Sequence, residues 1–140
     1  MPQPNSALSH RAFLKPMFLL FVFIVALEWF GTFFDLFQYH ALGYDKILHF
    51  LGGVLCGMFG VFLLHAGRGM RYCSVRSANI SMLLVALMAA FSIGMWWEIL
   101  QIIVPAMRNV GEYNWHDTIG DVIFDTMGGI GAGLFYRTRK

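Results

Sequence analysis

Four long apolar segments, separated by short polar stretches, dominate the chain. They run over about 17–34, 46–66, 79–104 and 118–136. Each is long enough for one helical passage of a bilayer, which needs about 20 mainly apolar residues. Pro16 suits the start of the first helix, and Pro105 ends the third. The pattern predicts an all-α fold, an integral membrane four-helix transmembrane bundle that forms a single domain over residues 1–140.

The composition also indicates a membrane protein. Hydrophobic residues make up 58% of the chain and charged residues only 13%, whereas soluble domains carry about 25% charged residues. The two cysteines supply neither a disulfide framework nor a CxxC metal motif. We therefore expect the lipid bilayer as the main partner and no binding to nucleic acid.

The basic residues predict the orientation of the bundle. Eight of the ten fall on one side of a four-helix topology: Arg11, Lys15, Arg68, Arg71, Arg76, Arg137, Arg139 and Lys140. Only Lys46 and Arg108 lie on the other side. Because short cytoplasmic segments are rich in Lys and Arg, both termini are predicted to be cytoplasmic.

The acidic residues follow the opposite distribution. All eight lie on the outer side or in the outer half of a helix: Glu28, Asp35, Asp45, Glu98, Glu112, Asp117, Asp121 and Asp125. The four tryptophans occupy the same level, as an interfacial belt would: Trp29, Trp96, Trp97 and Trp115. This shared depth predicts a polar cluster near the outer face, covered by aromatic side chains.

The fourth helix carries the strongest functional signal. Asp117, Asp121 and Asp125 are spaced by four residues and share one helix face. An ionised carboxylate at membrane depth costs about 2.5–3.5 kcal/mol on insertion scales. Asp117 has an alternative as a plain helix cap, but capping cannot explain the two deeper aspartates. They need a proton, a metal ion or a cation such as Arg108.

Two further helices supply partners at the same depth. Asp45 and His49 are i, i+4, so the carboxylate can orient the imidazole, or both can bind one ion. The alternative is an N-cap at Asp45 and a buried polar residue at His49. Glu98 lies near the outer end of the third helix with Gln101 one turn on. The alternative to a site role for Glu98 is that its carboxyl is protonated, or that it accepts a hydrogen bond from a tryptophan N–H.

Small residues predict how these helices approach. Gly129 and Gly133 form a GxxxG step, which lets helix backbones pack closely. The second helix has a matching series, Gly52, Gly53, Gly57 and Gly60. Close packing of the two surfaces would bring His49 and Asp121 together.

The order of these motifs resembles a known family. Asp45-Lys46-x-x-His49, Glu98-x-x-Gln101, Arg108 and Asp121-x-x-x-Asp125-x-x-Gly128 are similar to the VanZ-like membrane proteins over roughly residues 45–133. The Asp117-Thr118 pair resembles the related YjdF-like inner-membrane proteins, and Asp125 departs from the VanZ-like pattern, which more often has Asn. The resemblance implies a polytopic protein of the bacterial inner membrane. Some VanZ-like members are linked to glycopeptide resistance, and the resemblance implies no established reaction.

Three functions follow from the predicted pocket. The favoured one is a membrane enzyme, a metal-dependent hydrolase or transferase acting on a lipid-linked or amphiphilic envelope substrate. His49, Glu98, Asp121, Asp125 and Asp45 would form a site for Mg²⁺, Mn²⁺ or Zn²⁺, with Asp45 orienting His49. His116 or Asp117 would act as the base, and Arg108 would grip a phosphate.

The two alternatives belong to other classes. A proton- or cation-coupled transporter or channel would use the intramembrane carboxylates as an ion path, and would need a homo-oligomer to complete it. A non-catalytic protein would bind an envelope ligand or partner through the same pocket. We favour the enzyme because a blind pocket, open to one side only, suits binding or chemistry better than conduction.

Overall fold

The computed structural model describes residues 10–34, 43–66, 75–104 and 114–137. These ranges form four α-helices: α1 (His10–Phe33), α2 (Tyr44–Ala66), α3 (Val75–Ile103) and α4 (Trp115–Arg137). The predicted all-α class is confirmed. Each helix begins before one of the predicted apolar segments and ends within one residue of the end of that segment.

Three of the helices are long and apolar enough to cross a membrane. The apolar stretches are Phe13–Phe33, Tyr44–Leu64 and Ser81–Ile103, with mean hydropathies of 2.0, 2.2 and 1.9. α4 is not among them, although it has 23 residues. Its aspartates and glycines reduce its apolar character. The fourth passage of the membrane therefore stays a prediction.

α1 begins at His10, ahead of Pro16, where the sequence predicted the start. Inside a helix, a proline cannot donate the hydrogen bond to the carbonyl four residues before it. Phe13 offsets this loss, because its side chain is buried and its ring stacks on Tyr136 with ring centroids 4.7 Å apart. Burial in the core thus holds the extra helical turns.

The helices run alternately up and down. At one end, the start of α1 and α3 meets the end of α2 and α4 in an apolar core: Phe13, Met58, Val61, Met82, Ala86, Ala132 and Tyr136. The opposite end, here called the polar end, joins the last halves of α1 and α3 to the first halves of α2 and α4. Helices α2, α3 and α4 pack against one another, whereas α1 packs mainly on α2. There the Tyr44 hydroxyl donates a hydrogen bond to the Leu27 carbonyl.

Glycines bring the backbones of α2 and α4 into contact. A Cβ added to Gly53 would collide with the backbone of Asp125, and one added to Gly128 would collide with the carbonyl of Phe50. Short side chains on α2 and α4 can therefore contact each other at the polar end.

The predicted GxxxG step packs mainly against α3, and Gly129 also meets α2, where a Cβ added to Gly57 would lie 3.0 Å from the Gly129 Cα. A Cβ on Gly129 would lie 2.5 Å from the Cβ of Ala90, and one on Gly133 would lie 2.9 Å from the Cα of Leu83. Both neighbours belong to α3. α4 thus packs its glycines against α2 and α3 on adjacent faces.

Candidate functional site

Three acidic residues are buried at the polar end. The exposed fraction is 2% for Glu98, 3% for Asp121 and 6% for Asp125. Glu98 lies on α3, and the two aspartates lie on the face of α4 that the four-residue spacing predicted. Because a buried ionised carboxylate needs a partner, the groups around these three define the site.

Among the described lysines and arginines, Lys46 is the nearest to these carboxylates. Its Nζ lies 2.5 Å from Asp121 Oδ1 and 2.6 Å from Asp117 Oδ1. It also donates to the Asp117 backbone carbonyl at 3.3 Å, and Asp45 Oδ2 lies 3.9 Å away. One ammonium group therefore links the first turn of α2 to the first two turns of α4.

Lys46 was not among the site residues predicted from the sequence. A signal was present, because Lys46 stands beside Asp45 and one turn before His49 in the same motif. It is also the one basic residue within the predicted helices that shares the level of the acids. A lysine has a long, flexible stem, so it can reach across to a neighbouring helix.

His49 lies between the aspartates. Its Nδ1 is 3.1 Å from Asp125 Oδ2, a hydrogen-bond distance. Its Nε2 is 3.7 Å from Asp121 Oδ1 and 3.9 Å from Asp45 Oδ1. The predicted i, i+4 pair with Asp45 is therefore longer than a hydrogen bond, and Asp125 is the carboxylate that orients the ring.

Asp45, His49 and Asp121 can supply ligands to one ion. One ligand atom from each lies within 4.8 Å of the others. Metal-binding histidines usually donate the second ring N–H to a carboxylate, which is the position that Asp125 holds. Two carboxylates with an imidazole suit Zn²⁺ or Mn²⁺ better than Mg²⁺, which prefers oxygen ligands and its own waters. The residues present therefore fit a divalent cation, provided that it shares Asp121 with Lys46.

Glu98 lies outside that group of three. Its side chain is hydrogen-bonded to Thr118 at the start of α4. Its Oε1 is buried and makes no hydrogen bond within the described part of the chain. This oxygen can accept a hydrogen bond from a water at the polar end, or it can hold a proton.

The start of α4 is capped by Asn114 rather than by an aspartate. The backbone N–H of His116 donates to Asn114 Oδ1 at 3.1 Å, and the N–H groups of Asp117 and Thr118 donate to the Asn114 carbonyl at 3.1 Å. The Asp117 carboxylate is left to pair with Lys46. The His116 side chain is exposed, and Arg108 lies outside the described residues.

The second helix has a similar start. The N–H of Ile47 donates to the Gly43 carbonyl at 3.1 Å, and Gly43 has a φ of 57°. Asp45 is thus in the first turn of α2, after the capping position. Its carboxylate is half-exposed at the mouth of the cluster, facing Lys46 and His49.

A cavity of about 620 Å³ adjoins the cluster between α1, α2 and α3. Its polar lining consists of Glu28, Asp45, His49, Gln101 and Asp125. His49 and Asp125 therefore belong both to the buried cluster and to the cavity wall. Glu28, which the sequence groups with the other acids at the outer level, lies on this wall.

Fold and site together define an α-helical membrane protein with a buried charged cluster at one end of its bundle. The chain belongs to the family described as "Predicted membrane protein (DUF2238)", whose pattern matches residues 7–140. The match confirms the predicted membrane class and does not single out the VanZ-like or YjdF-like proteins. No curated protein and no solved structure matches the chain.

Proposed function

We propose that this protein is a membrane enzyme that uses a divalent cation to act on an amphiphilic substrate of the cell envelope. The observation that carries the proposal is the setting of His49. Asp125 holds Nδ1, and Nε2 is left facing Asp45 and Asp121. In this arrangement Asp125 orients the imidazole, and Nε2 faces the two carboxylates that would share an ion with it.

The balance of charge supports a cation at this position. The described cluster contains four carboxylates, from Asp45, Asp117, Asp121 and Asp125, and one ammonium group, from Lys46. Four carboxylates outnumber Lys46 and His49 together, so the cluster carries an excess of negative charge whether or not the imidazole is protonated. A divalent ion would offset most of that excess. Glu98 Oε1, which has no hydrogen-bond partner among the described residues, supplies one more acceptor nearby.

Each residue has a distinct role in the proposed site. Asp45, His49 and Asp121 would hold the ion, and Asp125 would fix the tautomer of His49. A bound divalent ion supplies a polarising charge and lowers the pKa of a water. Asp117 stays close to Asp121 through Lys46 and would accept a proton there; His116 and Arg108 remain proposed as a second base and as a phosphate-binding residue. Lys46 would balance negative charge on a reacting group.

Metal content tests this proposal directly. We expect about one Zn²⁺ or Mn²⁺ per chain after purification and dialysis, and a loss of at least tenfold in bound metal for His49→Ala and Asp121→Asn, because each removes a ligand. Elemental analysis of the purified protein measures the content. His116→Ala is the matched control, since it removes an exposed histidine outside the ligand group. Wild-type protein without stoichiometric metal at several pH values would contradict the proposal.

A proton path is the second candidate, and one observation favours it. Asp117, Lys46, Asp121, His49 and Asp125 form a continuous series of polar contacts. Chains of acids and histidines carry protons in membrane transporters. The series ends at Asp125, however, and the apolar core lies beyond it. An enzyme with a local proton relay accounts for both facts, so we favour it over transport.

The proposed location is the bacterial inner membrane, with four passages and both termini cytoplasmic. The distribution of basic residues and the VanZ-like order of motifs support this topology. We expect a cysteine introduced by Glu112→Cys to react with a membrane-impermeant maleimide in intact cells, and Cys73 to react only after lysis. A Cys56→Ser background keeps the labelling specific. Labelling of Cys73 in intact cells would show that the orientation is the opposite of the proposed one.

A further inference from the structure

The cavity beside the cluster changes from polar to apolar along its length. Glu28 and Phe21 line it from α1, seven residues apart, which is about 10 Å along a helix. On α2, Asp45 and Cys56 line it and are about 16 Å apart by the same measure. Because the helices alternate in direction, Glu28 and Asp45 share one end, and Phe21 and Cys56 share the other. Asp125 lies between these ends, against Gly52 and Gly94. Such a cavity fits a molecule with a polar head and an apolar chain.

The charge at the polar end determines which head fits. Three carboxylates line the cavity, from Glu28, Asp45 and Asp125, together with one imidazole, His49; Lys46 does not line it. Two indole rings, Trp29 and Trp97, also line it. Carboxylates attract a cation, and the faces of tryptophans bind cations as well. An anionic head would meet three acids in a poorly hydrated setting, which opposes binding.

The size and the opening of the cavity fit one chain. At about 30 Å³ per non-hydrogen atom, 620 Å³ holds roughly 20 atoms, which is within the range for one drug-sized ligand. On the α1 side, Phe21 is 54% exposed and Trp29 is 75% exposed. A chain can therefore enter sideways from the surrounding lipid, without passing through the ends of the bundle.

We propose that this cavity binds a single-chain amphiphile with a positively charged amine head. The head lies among Glu28, Asp125 and the indole rings, and the chain lies along Phe21 and Ile93. Binding depends on the cavity alone and needs no metal. Only the assignment of this amphiphile as the substrate rests on the proposed function.

Cys56 provides a reporter inside the cavity. In a Cys73→Ser background and in phosphatidylcholine nanodiscs, we expect dodecylamine to slow alkylation of Cys56 by N-ethylmaleimide at least fivefold. Dodecanoate, which has the same chain and an anionic head, is expected to have less than a twofold effect. All samples are run with and without EDTA, and the same protection is expected in both. Loss of metal binding and loss of amine binding can therefore be told apart.

Variants locate the head and the chain. Glu28→Gln is expected to raise the dodecylamine concentration needed for half protection about tenfold. Ile93→Trp should fill the apolar end and remove protection, whereas Ile99→Trp, at an α3 isoleucine outside the cavity lining, should not. A thiol outside the lining, made by Phe59→Cys in a background without native cysteines, serves as the control for the reagent.

Three results would overturn the proposal. The first is equal protection of Cys56 by dodecanoate and by the amine. The second is unchanged protection in Glu28→Gln. The third is equal slowing of alkylation at position 59 by the amine. If Cys56 does not react at all, brominated dodecylamine is added and tryptophan fluorescence is measured. Quenching should then fall in a Trp29→Phe/Trp97→Phe variant and persist in Trp115→Phe; equal quenching in both would also contradict the proposal.

Discussion

Replacing Lys46 by methionine is expected to lower the free energy of unfolding by about 3–5 kcal/mol, the usual cost of breaking a buried ion pair. Methionine keeps the apolar stem and removes only the ammonium group. Asp121 is buried and would lose the contact at 2.5 Å, so it would have to hold its charge without this partner or take up a proton. Asp117 is more exposed, so the loss of its contact with Lys46 lowers the free energy of unfolding by less.

Unfolding in mixed micelles by added denaturing detergent measures this effect. Lys15→Met is the control, because Lys15 is an exposed lysine on α1. The double variant Lys46→Met/Asp121→Asn should recover most of the lost stability, since it removes the unpaired charge along with its partner. Equal stability of Lys46→Met and Lys15→Met would show that the ammonium group does not compensate the aspartate.

The sequence predicted the helices well and their ends less well. Apolarity marks the part of a helix that lies in hydrocarbon, whereas a helix ends where its backbone hydrogen bonds end. α3 therefore begins at Val75, four residues before the apolar segment, and α4 begins at Trp115 because Asn114 caps it. Pro16 was misleading for a further reason. Packing of Phe13 holds the helix before the proline, and packing is not visible in a local pattern.

The depth of the site was predictable, and the pairing within it was not. Helical spacing placed Asp121 and Asp125 on one face of α4, and counting along α2 put His49 at their level. Which aspartate meets which ring nitrogen depends on how α2 is rotated about its axis. The structure pairs Nδ1 with Asp125, three turns from the start of α4. The spacing of residues along the sequence does not determine this rotation of α2.

The partners of Lys46 were also not predictable from the sequence. Its charge was counted toward topology, where its position was an exception to the positive-inside pattern. A basic residue on the wrong side of a membrane protein is itself informative, because an acid at the same depth can hold it there. The sequence could have identified Asp117 and Asp121 as its partners only with the distance between α2 and α4. Glycines set that distance.

Replacing Gly128 by alanine is expected to destabilise the protein by about 1–3 kcal/mol or more, the cost of overpacking a close contact. A Cβ at this position would collide with the Phe50 carbonyl oxygen and lie 2.7 Å from the Val54 backbone nitrogen. Both are main-chain atoms of α2, so no side chain can rotate away to make room. α2 and α4 would have to separate or turn.

That separation should also weaken the site, because His49 and Asp125 are held together across the same contact. We expect Gly128→Ala to reduce metal binding by at least tenfold, although Gly128 holds no ligand. Gly131→Ala is the matched control, since a Cβ there meets nothing within 4 Å and alanine has the higher helix propensity, by about 1 kcal/mol. Detergent-induced unfolding and elemental analysis measure both variants. If Gly128→Ala matched Gly131→Ala in stability and metal content, the close approach of α2 and α4 would not be what assembles the site.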